Sequence, residues 1–286
     1  MASFEEYLKE QGFKPETVYQ HRKYTSYFLS FIAEESLSLN QITYTEVLDF
    51  AGHLQKEDKN INLINRIMLA LRYYFTWLQY EDKISYNPAA GISLKGAIRT
   101  VPRDLLSKEE LEALYESYLI KDERTHRNKV IVGLLVYQAL TREELETIRP
   151  EHLKLREGKI SVPKTGKQND RVLTLQPHQV LDLQEYMMLI RPKLQSKSQR
   201  LFTGRNDIEN LQNTLLHLNH ALRRINPKVK HAVQIRQSVI TEWLKEKDLR
   251  TVQYMAGHRY VSSTERYRES NLEDLKEALS KHHPLR

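Results

Sequence analysis

The chain has 286 residues, 40% hydrophobic and 28% charged, which is enough to bury a core and excludes wholesale disorder. It contains no cysteine, so a disulfide framework, thiolate catalysis and cysteine-ligated zinc or iron–sulfur sites are excluded. Lys and Arg outnumber Asp and Glu by 44 to 37, a net charge of +7 that points weakly toward a polyanionic partner.

The charge is unevenly divided. Residues 1–100 carry 11 basic and 12 acidic side chains, a net of −1, while residues 101–286 carry 33 and 25, a net of +8. A basic second part attracts phosphate backbones by counterion release; a basic but solvated surface accounts for the same numbers. Apolar runs such as Val130 to Val136 are far too short to span a bilayer. The N-terminal MASFEEYLKEQ is acidic and lacks an apolar signal region, so the expected location is cytoplasmic.

The first hundred residues read as four or five helices. Phe4, Tyr7 and Leu8 begin the first, and Pro15 opens a longer one through Val18, Tyr24, Phe28, Phe31 and Ile32 at near-helical spacing. Thr43 and Glu46 form a Thr-x-x-Glu capping pattern before Val47, Phe50 and Leu54. A fourth helix starts near Asn60 and carries Ile64, Ile67, Met68, Leu71, Tyr74, Phe75 and Leu78. Tyr73, Tyr74, Phe75 and Trp77 fall at core spacing and read as packing. Residues 87–104 contain Pro88, Gly91, Gly96 and Pro102 without apolar periodicity. The expected organisation is a helical domain over 1–88, a linker over 89–104 and a second domain over 105–286.

The second domain starts at a Ser107–Glu110 capping pattern, followed by a helix through Tyr118. A buried helix is predicted over 128–137, and a short one capped by Thr141 and Glu144 up to Ile148. The clear β signal is a hairpin: a strand over 159–163, a polar turn over 164–170 and a strand over 171–175. Helices resume over 177–188, 211–225, 234–245, 249–256 and 272–280. The fold class is mainly α: an all-helical N-terminal domain and a mixed C-terminal domain, mostly α with a small antiparallel sheet.

The densest chemical cluster lies near the C-terminus: Arg236, the segment 248–253 (DLRTVQ), Ala256-Gly257-His258, and Tyr267 nine residues after the histidine. These residue types suit phosphodiester chemistry. A phenol can attack phosphorus and conserve the bond energy in a covalent intermediate. A guanidinium matches the charge on phosphoryl oxygens, and a histidine after a helix-ending glycine can donate to them. A lysine on a hairpin turn can supply a proton to a leaving oxygen, and the polar turn over 164–170 holds two lysines, Lys164 and Lys167.

Here the sequence resembles the tyrosine recombinase/integrase family, which includes Xer-like and phage-integrase-like site-specific DNA recombinases. Arg236 fits the arginine closing the family's His-x-x-Arg box, His258 the histidine of its Leu-Gly-His motif, Tyr267 its nucleophile, and Lys167 in Gly-Lys-Gln-Asn its catalytic lysine. The resemblance also takes in the helical N-terminal part, the Asn-Pro-Ala segment at 87–89 and the hairpin. It implies a SAM-like core-binding domain followed by a catalytic domain. It further implies cleavage and rejoining of double-stranded DNA at inverted-repeat sites through a 3′-phosphotyrosine on Tyr267, with no metal or other cofactor. Two dimers or a tetramer would assemble on DNA, the 272–280 helix docking on a neighbouring subunit. His282 and His283, adjacent at the tail, are weak evidence for a metal.

Two positions depart from the family pattern. Counting back from Glu144-Leu145, the first arginine of Gly-Leu-Arg-x-x-Glu-Leu is Thr141, with Arg142 one residue late. One residue is about 100° of helix rotation, so Arg142 serves only if the helix start shifts. The histidine of His-x-x-Arg is Val233, with His231 two residues earlier. Three readings therefore stay open. The first is an active recombinase using Tyr267, Arg236, His258, Lys167 and Arg142. The second is a catalytically weakened recombinase-like DNA-binding protein. The third is a basic helical scaffold for RNA or protein.

Overall fold

The structure, a computed structural model, describes residues 3–96, 104–166, 168–194, 198–203 and 211–268. The chain divides into two compact units, Met1–Arg99 and Thr100–Arg286.

The first unit is four helices: α1 (Phe4–Glu10), α2 (Pro15–Glu34), α3 (Tyr44–Lys56) and α4 (Ile61–Tyr80). Their starts follow local chemistry. Ser3 and Glu6 close a capping box on α1, Pro15 stands at the first turn of α2, Thr43 and Glu46 cap α3 reciprocally, and Asn60 accepts from Asn62 N on α4. The core is aromatic. Phe28 meets Phe50 and Phe75 edge-on with centroids 5.2 and 5.6 Å apart, the geometry the ring quadrupoles favour.

The stretch expected to begin a linker at residue 89 is packed onto this unit. Ala89 and Ile92 are buried in its core, and Asn65 exchanges two hydrogen bonds with the Leu94 backbone. The glycines and prolines there mark an irregular path over a helical surface, which composition does not distinguish from a free linker.

The second unit starts with α5 (Lys108–Glu116) and α6 (Glu123–Gln138), followed by α7 (Arg142–Thr147). Its sheet has three antiparallel strands in the order β1 (Leu153–Lys154), β2 (Lys159–Val162) and β3 (Arg171–Thr174). Then come α8 (Pro177–Glu185), α9 (Leu211–Ile225), α10 (Ala232–Glu246), α11 (Leu249–Ala256) and a helical stretch over 262–268. Helix α6 starts five residues before the predicted 128, because Asp122 accepts from Thr125 N and caps a polar first turn that apolar periodicity does not reveal. Strand β1 is two residues long, too short for alternation to register.

Buried α6 is the axis of this unit, with Ile131, Val132, Leu134 and Leu135 in contact with the core on every side. Hairpin register pairs Val162 with Arg171 and Ile160 with Leu173. Ile160, Val162, Arg171 and Leu173 are therefore the buried positions of the two strands, which places one arginine among apolar neighbours. No described helix is long and apolar enough to cross a membrane.

Candidate active site

Three segments deliver the C-terminal cluster to one place. Arg236 emerges from the buried face of α10 and is 6% exposed. Helix α11 starts on Asp248, which accepts from both Arg250 N and Thr251 N, and stops at Gly257 with φ +69°. There Gly257 N donates to Tyr254 O at 2.9 Å and His258 N to Gln253 O at 3.0 Å, closing the carbonyls of the last turn. The chain then reverses, and the 262–268 helix lays Tyr267 parallel to His258, with ring centroids 6.0 Å apart and planes 9° from parallel. The nine-residue spacing is thus one reversal plus one and a half turns of helix.

His258 is 7% exposed and its Nδ1 lies 2.9 Å from Thr264 Oγ1. Burial, then the positive charges of Arg236, Arg266 and Arg171, push its pKa down to about 3, so the imidazole is neutral at physiological pH. With Nδ1 occupied by Thr264, Nε2 is the nitrogen left for a ligand. Arg266 donates from Nη2 to the Tyr267 hydroxyl at 3.0 Å, its guanidinium carbon 5.0 Å from the Tyr267 ring centroid.

Beneath this surface sits a buried charge cluster that sequence reading missed. Glu144, fully buried, faces Arg171 Nη1 at 2.5 Å and Arg236 Nη1 at 3.9 Å. The same carboxylate accepts from Thr141 N at 2.7 Å and Thr141 Oγ1 at 2.9 Å. The capping box on α7 is therefore also the anion that orients the site's arginines. Arg236 donates further to Ala139 O and, at 2.6 Å, to Ala256 O. Ala139 is the C-cap of α6 at φ +53°, a conformation that costs an L-residue about 1–2 kcal/mol and here turns its carbonyl toward Arg236. Burial lowers the Arg236 pKa to about 10 against the opposing pull of Glu144, and the group remains charged. Arg171 ties three segments together, donating to Glu144, to Met255 O at 2.7 Å and to Asn169 O at 3.4 Å. A charged residue on the inward face of a predicted strand was the available signal for Arg171, and a carboxylate four residues before an apolar helix end was too common a pattern to single out Glu144.

The hairpin turn is fastened to the histidine segment. Gln168 forms an antiparallel bridge with His258, and Asn169 N donates to Gly257 O at 2.8 Å. Lys167 lies outside the described residues, as do the predicted 272–280 helix and His282-His283. Gln168, the residue that follows it in sequence, is the one bridged to His258.

Arg142 is not brought to this cluster. Its guanidinium bonds Gln212 on α9 at 3.1 Å and pairs with Glu146 at 3.5 Å, on the solvent side of α7. The helix start is not shifted: Thr141 is the N-cap, which turns Arg142 outward. Val233 is 61% exposed, and His231 serves as N-cap of α10, accepting from Gln234 N at 3.0 Å. Neither supplies the histidine missing from the His-x-x-Arg box.

Gly257 has two constraints. Its φ is left-handed, and a Cβ there would fall 2.5 Å from Arg171 Nη1 and 3.2 Å from Asn169 O. Gly257→Ala is expected to cost about 2 kcal/mol or more, from backbone strain plus displacement of a packed guanidinium, read as a lower urea midpoint.

The depressed His258 pKa makes stability pH-dependent. Below about 6.5 the unfolded chain binds a proton that the native imidazole refuses until about pH 3, so native stability is present above 6.5 and falls as pH drops through that window. Between pH 7 and 5 the loss from this residue is roughly 2 kcal/mol. Urea midpoints at both pH values should show a shallower dependence in His258→Asn than in the wild type; equal slopes would contradict a neutral buried imidazole.

An all-helical unit is followed by a helical unit with a small hairpin sheet, and Arg236, His258 and Tyr267 gather at one buried edge, as the resemblance noted in the sequence leads one to expect. Sequence comparison agrees: the phage integrase family matches residues 104–274, and the phage integrase N-terminal SAM-like domain matches residues 1–82. The chain belongs to the phage integrase family. It is 27% identical to a tyrosine recombinase XerC of Oceanobacillus iheyensis, covering 99% of this chain and 95% of that one. It is 24% identical to a tyrosine recombinase XerD of Listeria monocytogenes over 97% and 95% of the two chains. In fold it is similar to the XerH site-specific recombinase in a post-cleavage complex with palindromic difH substrate, at TM-score 0.76 and 20% identity over 92% of this chain and 79% of that one. It is also similar to a lambda integrase dimer on a COC′ core site, at TM-score 0.63 and 15% identity over 93% of each chain.

Proposed function

We propose that this protein is a site-specific DNA recombinase in which Tyr267 cleaves and rejoins double-stranded DNA. The observation carrying this reading is the stacked His258–Tyr267 pair beside buried, carboxylate-oriented Arg236. Tyr267 Oη attacks the scissile phosphorus, forming the phenol–phosphorus bond and breaking the bond to the 5′-oxygen. The phenol proton leaves to solvent, and Lys167 delivers a proton to the 5′-oxygen. Arg236 counters the charge on the phosphoryl oxygens, and neutral His258 donates to one of them through Nε2. The products are a 3′-phosphotyrosine and a free 5′-hydroxyl, and attack by a partner strand's 5′-hydroxyl reverses the chemistry without an external energy source.

Assembly as two dimers or a tetramer on inverted-repeat sites belongs to the same proposal, with the segment after Tyr267 docking on a neighbouring subunit. The basic second unit supplies the phosphate attraction. The catalytically weakened alternative is not favoured. Its basis is the two departing positions, yet Thr141 caps the helix that presents Glu144, and Arg236 is held in place by three oxygens. The test is covalent capture from a pool of randomised nicked suicide duplexes. The wild type should yield a protein–DNA adduct stable to denaturation and enriched in one inverted-repeat site, and Tyr267→Phe none. Adduct from the Phe variant, or none from the wild type, would refute the reading.

A further inference from the structure

We propose that Arg266 supplies the second guanidinium on the scissile phosphate, the role for which position 141 provides no cation. This rests on the recombinase reading above and adds a residue to it.

Charge balance motivates the inference. A phosphodiester carries one negative charge, and once the phenol has lost its proton the pentavalent transition state carries two. Arg171 and Arg236 around Glu144 leave a single net positive charge in the buried cluster. Arg171 has no exposed side-chain surface and bonds Glu144, Met255 O and Asn169 O, so it acts on the site through those partners. Arg142, next to position 141 in sequence, is turned away and engaged with Gln212 and Glu146. Lys167 becomes neutral as it protonates the leaving oxygen, so it adds no lasting charge.

Geometry then selects Arg266. Its Nη2 is 3.0 Å from the Tyr267 hydroxyl. Phosphorus in a near-attack position stands about 3–3.5 Å from that same oxygen. A guanidinium already seated on the nucleophile is therefore beside the phosphoryl oxygens when phosphate arrives, without crossing the site. It also holds a free donor: Arg266 Nε is buried and makes no hydrogen bond. The side chain as a whole is half-buried, so an incoming phosphate can reach it. Arg266 belongs, with Arg236 and Arg171, to the three arginines whose charge bears on His258, which locates it on the same face. A solvated charge run has none of these features: Glu265 and Arg268, its neighbours, are exposed.

The experiment compares suicide duplexes of the captured site carrying either an ordinary phosphate or an uncharged methylphosphonate at the scissile position. Arg266→Gln should slow adduct formation on phosphate by about 10²–10³-fold relative to the wild type. On methylphosphonate, where the charge to be countered is gone, the deficit should shrink to within about tenfold. The ratio of the two rates within one variant is insensitive to the folded fraction, so partial misfolding cannot mimic the result. Equal rates for Arg266→Gln and wild type on phosphate, or the same deficit on both substrates, would overturn the assignment while leaving the recombinase reading standing. Absence of any wild-type adduct would instead overturn the recombinase reading itself, and this inference with it.

Discussion

Arg236→Ala is expected to lower the rate of covalent adduct formation by about a thousandfold or more while leaving the second unit folded. The rate effect follows from removing a donor aimed at the phosphoryl oxygens inside a site where water is scarce. The fold should survive because of what remains. Arg171 keeps its contact with Glu144, so the buried cluster goes from a net positive charge to a balanced pair rather than to an orphaned ion. The losses to stability are the hydrogen bonds to Ala139 O and Ala256 O and the packing of one side chain. Adduct yield over time, set beside a thermal melt, separates the two effects. A variant that melts far below the wild type would place Arg236 chiefly in the fold.

Glu144→Gln should behave in the opposite way, as a stability defect first. Glu144 is fully buried between two guanidinium groups, and the amide leaves both cations without a compensating anion. Breaking one partner out of a buried ion pair costs about 3–5 kcal/mol. The expected result is a large drop in urea midpoint. Adding Arg171→Met to Glu144→Gln should recover part of that loss, because one of the two uncompensated charges is removed and replaced by an apolar side chain. Loss of the Thr141 contacts contributes a further share, since the same carboxylate completes the α7 cap. If the double variant were no more stable than Glu144→Gln alone, the pairing with Arg171 would not be the source of the cost. Activity falls with stability here, whereas in Arg236→Ala it falls without it.

Much of the fold was legible because its signals are local. Thr43, Ser107 and Thr141 announce helix starts with hydroxyls that satisfy backbone donors a few residues away. The period-two hairpin over β2 and β3 is equally local, as is the stop at Gly257, where a left-handed residue closes α11. The caps span three to five residues and the hairpin pairs at most fifteen, so a short linear window contains both partners. Strand β1 and the first turn of α6 escaped it because two residues cannot show a period and a polar turn shows no apolar stripe.

The site divides along the same line. Gly257-His258 and the nine-residue step to Tyr267 are one short piece of chain, so sequence by itself determined that a histidine and a tyrosine would meet. Which arginines join them besides Arg236, and what orients Arg236, was decided by tertiary structure. Arg142 is adjacent in sequence to the expected position, yet the cap at Thr141 points it at α9. Arg171 and Glu144 lie 27 residues apart and are brought together by the tertiary fold. Arg236 reaches Glu144 across 92 positions of chain. A buried carboxylate collects whichever guanidinium groups the fold delivers, since leaving its charge uncompensated in a low-dielectric interior costs several kcal/mol. That requirement acts in space, after the helices and strands have packed, and no spacing along the chain records it.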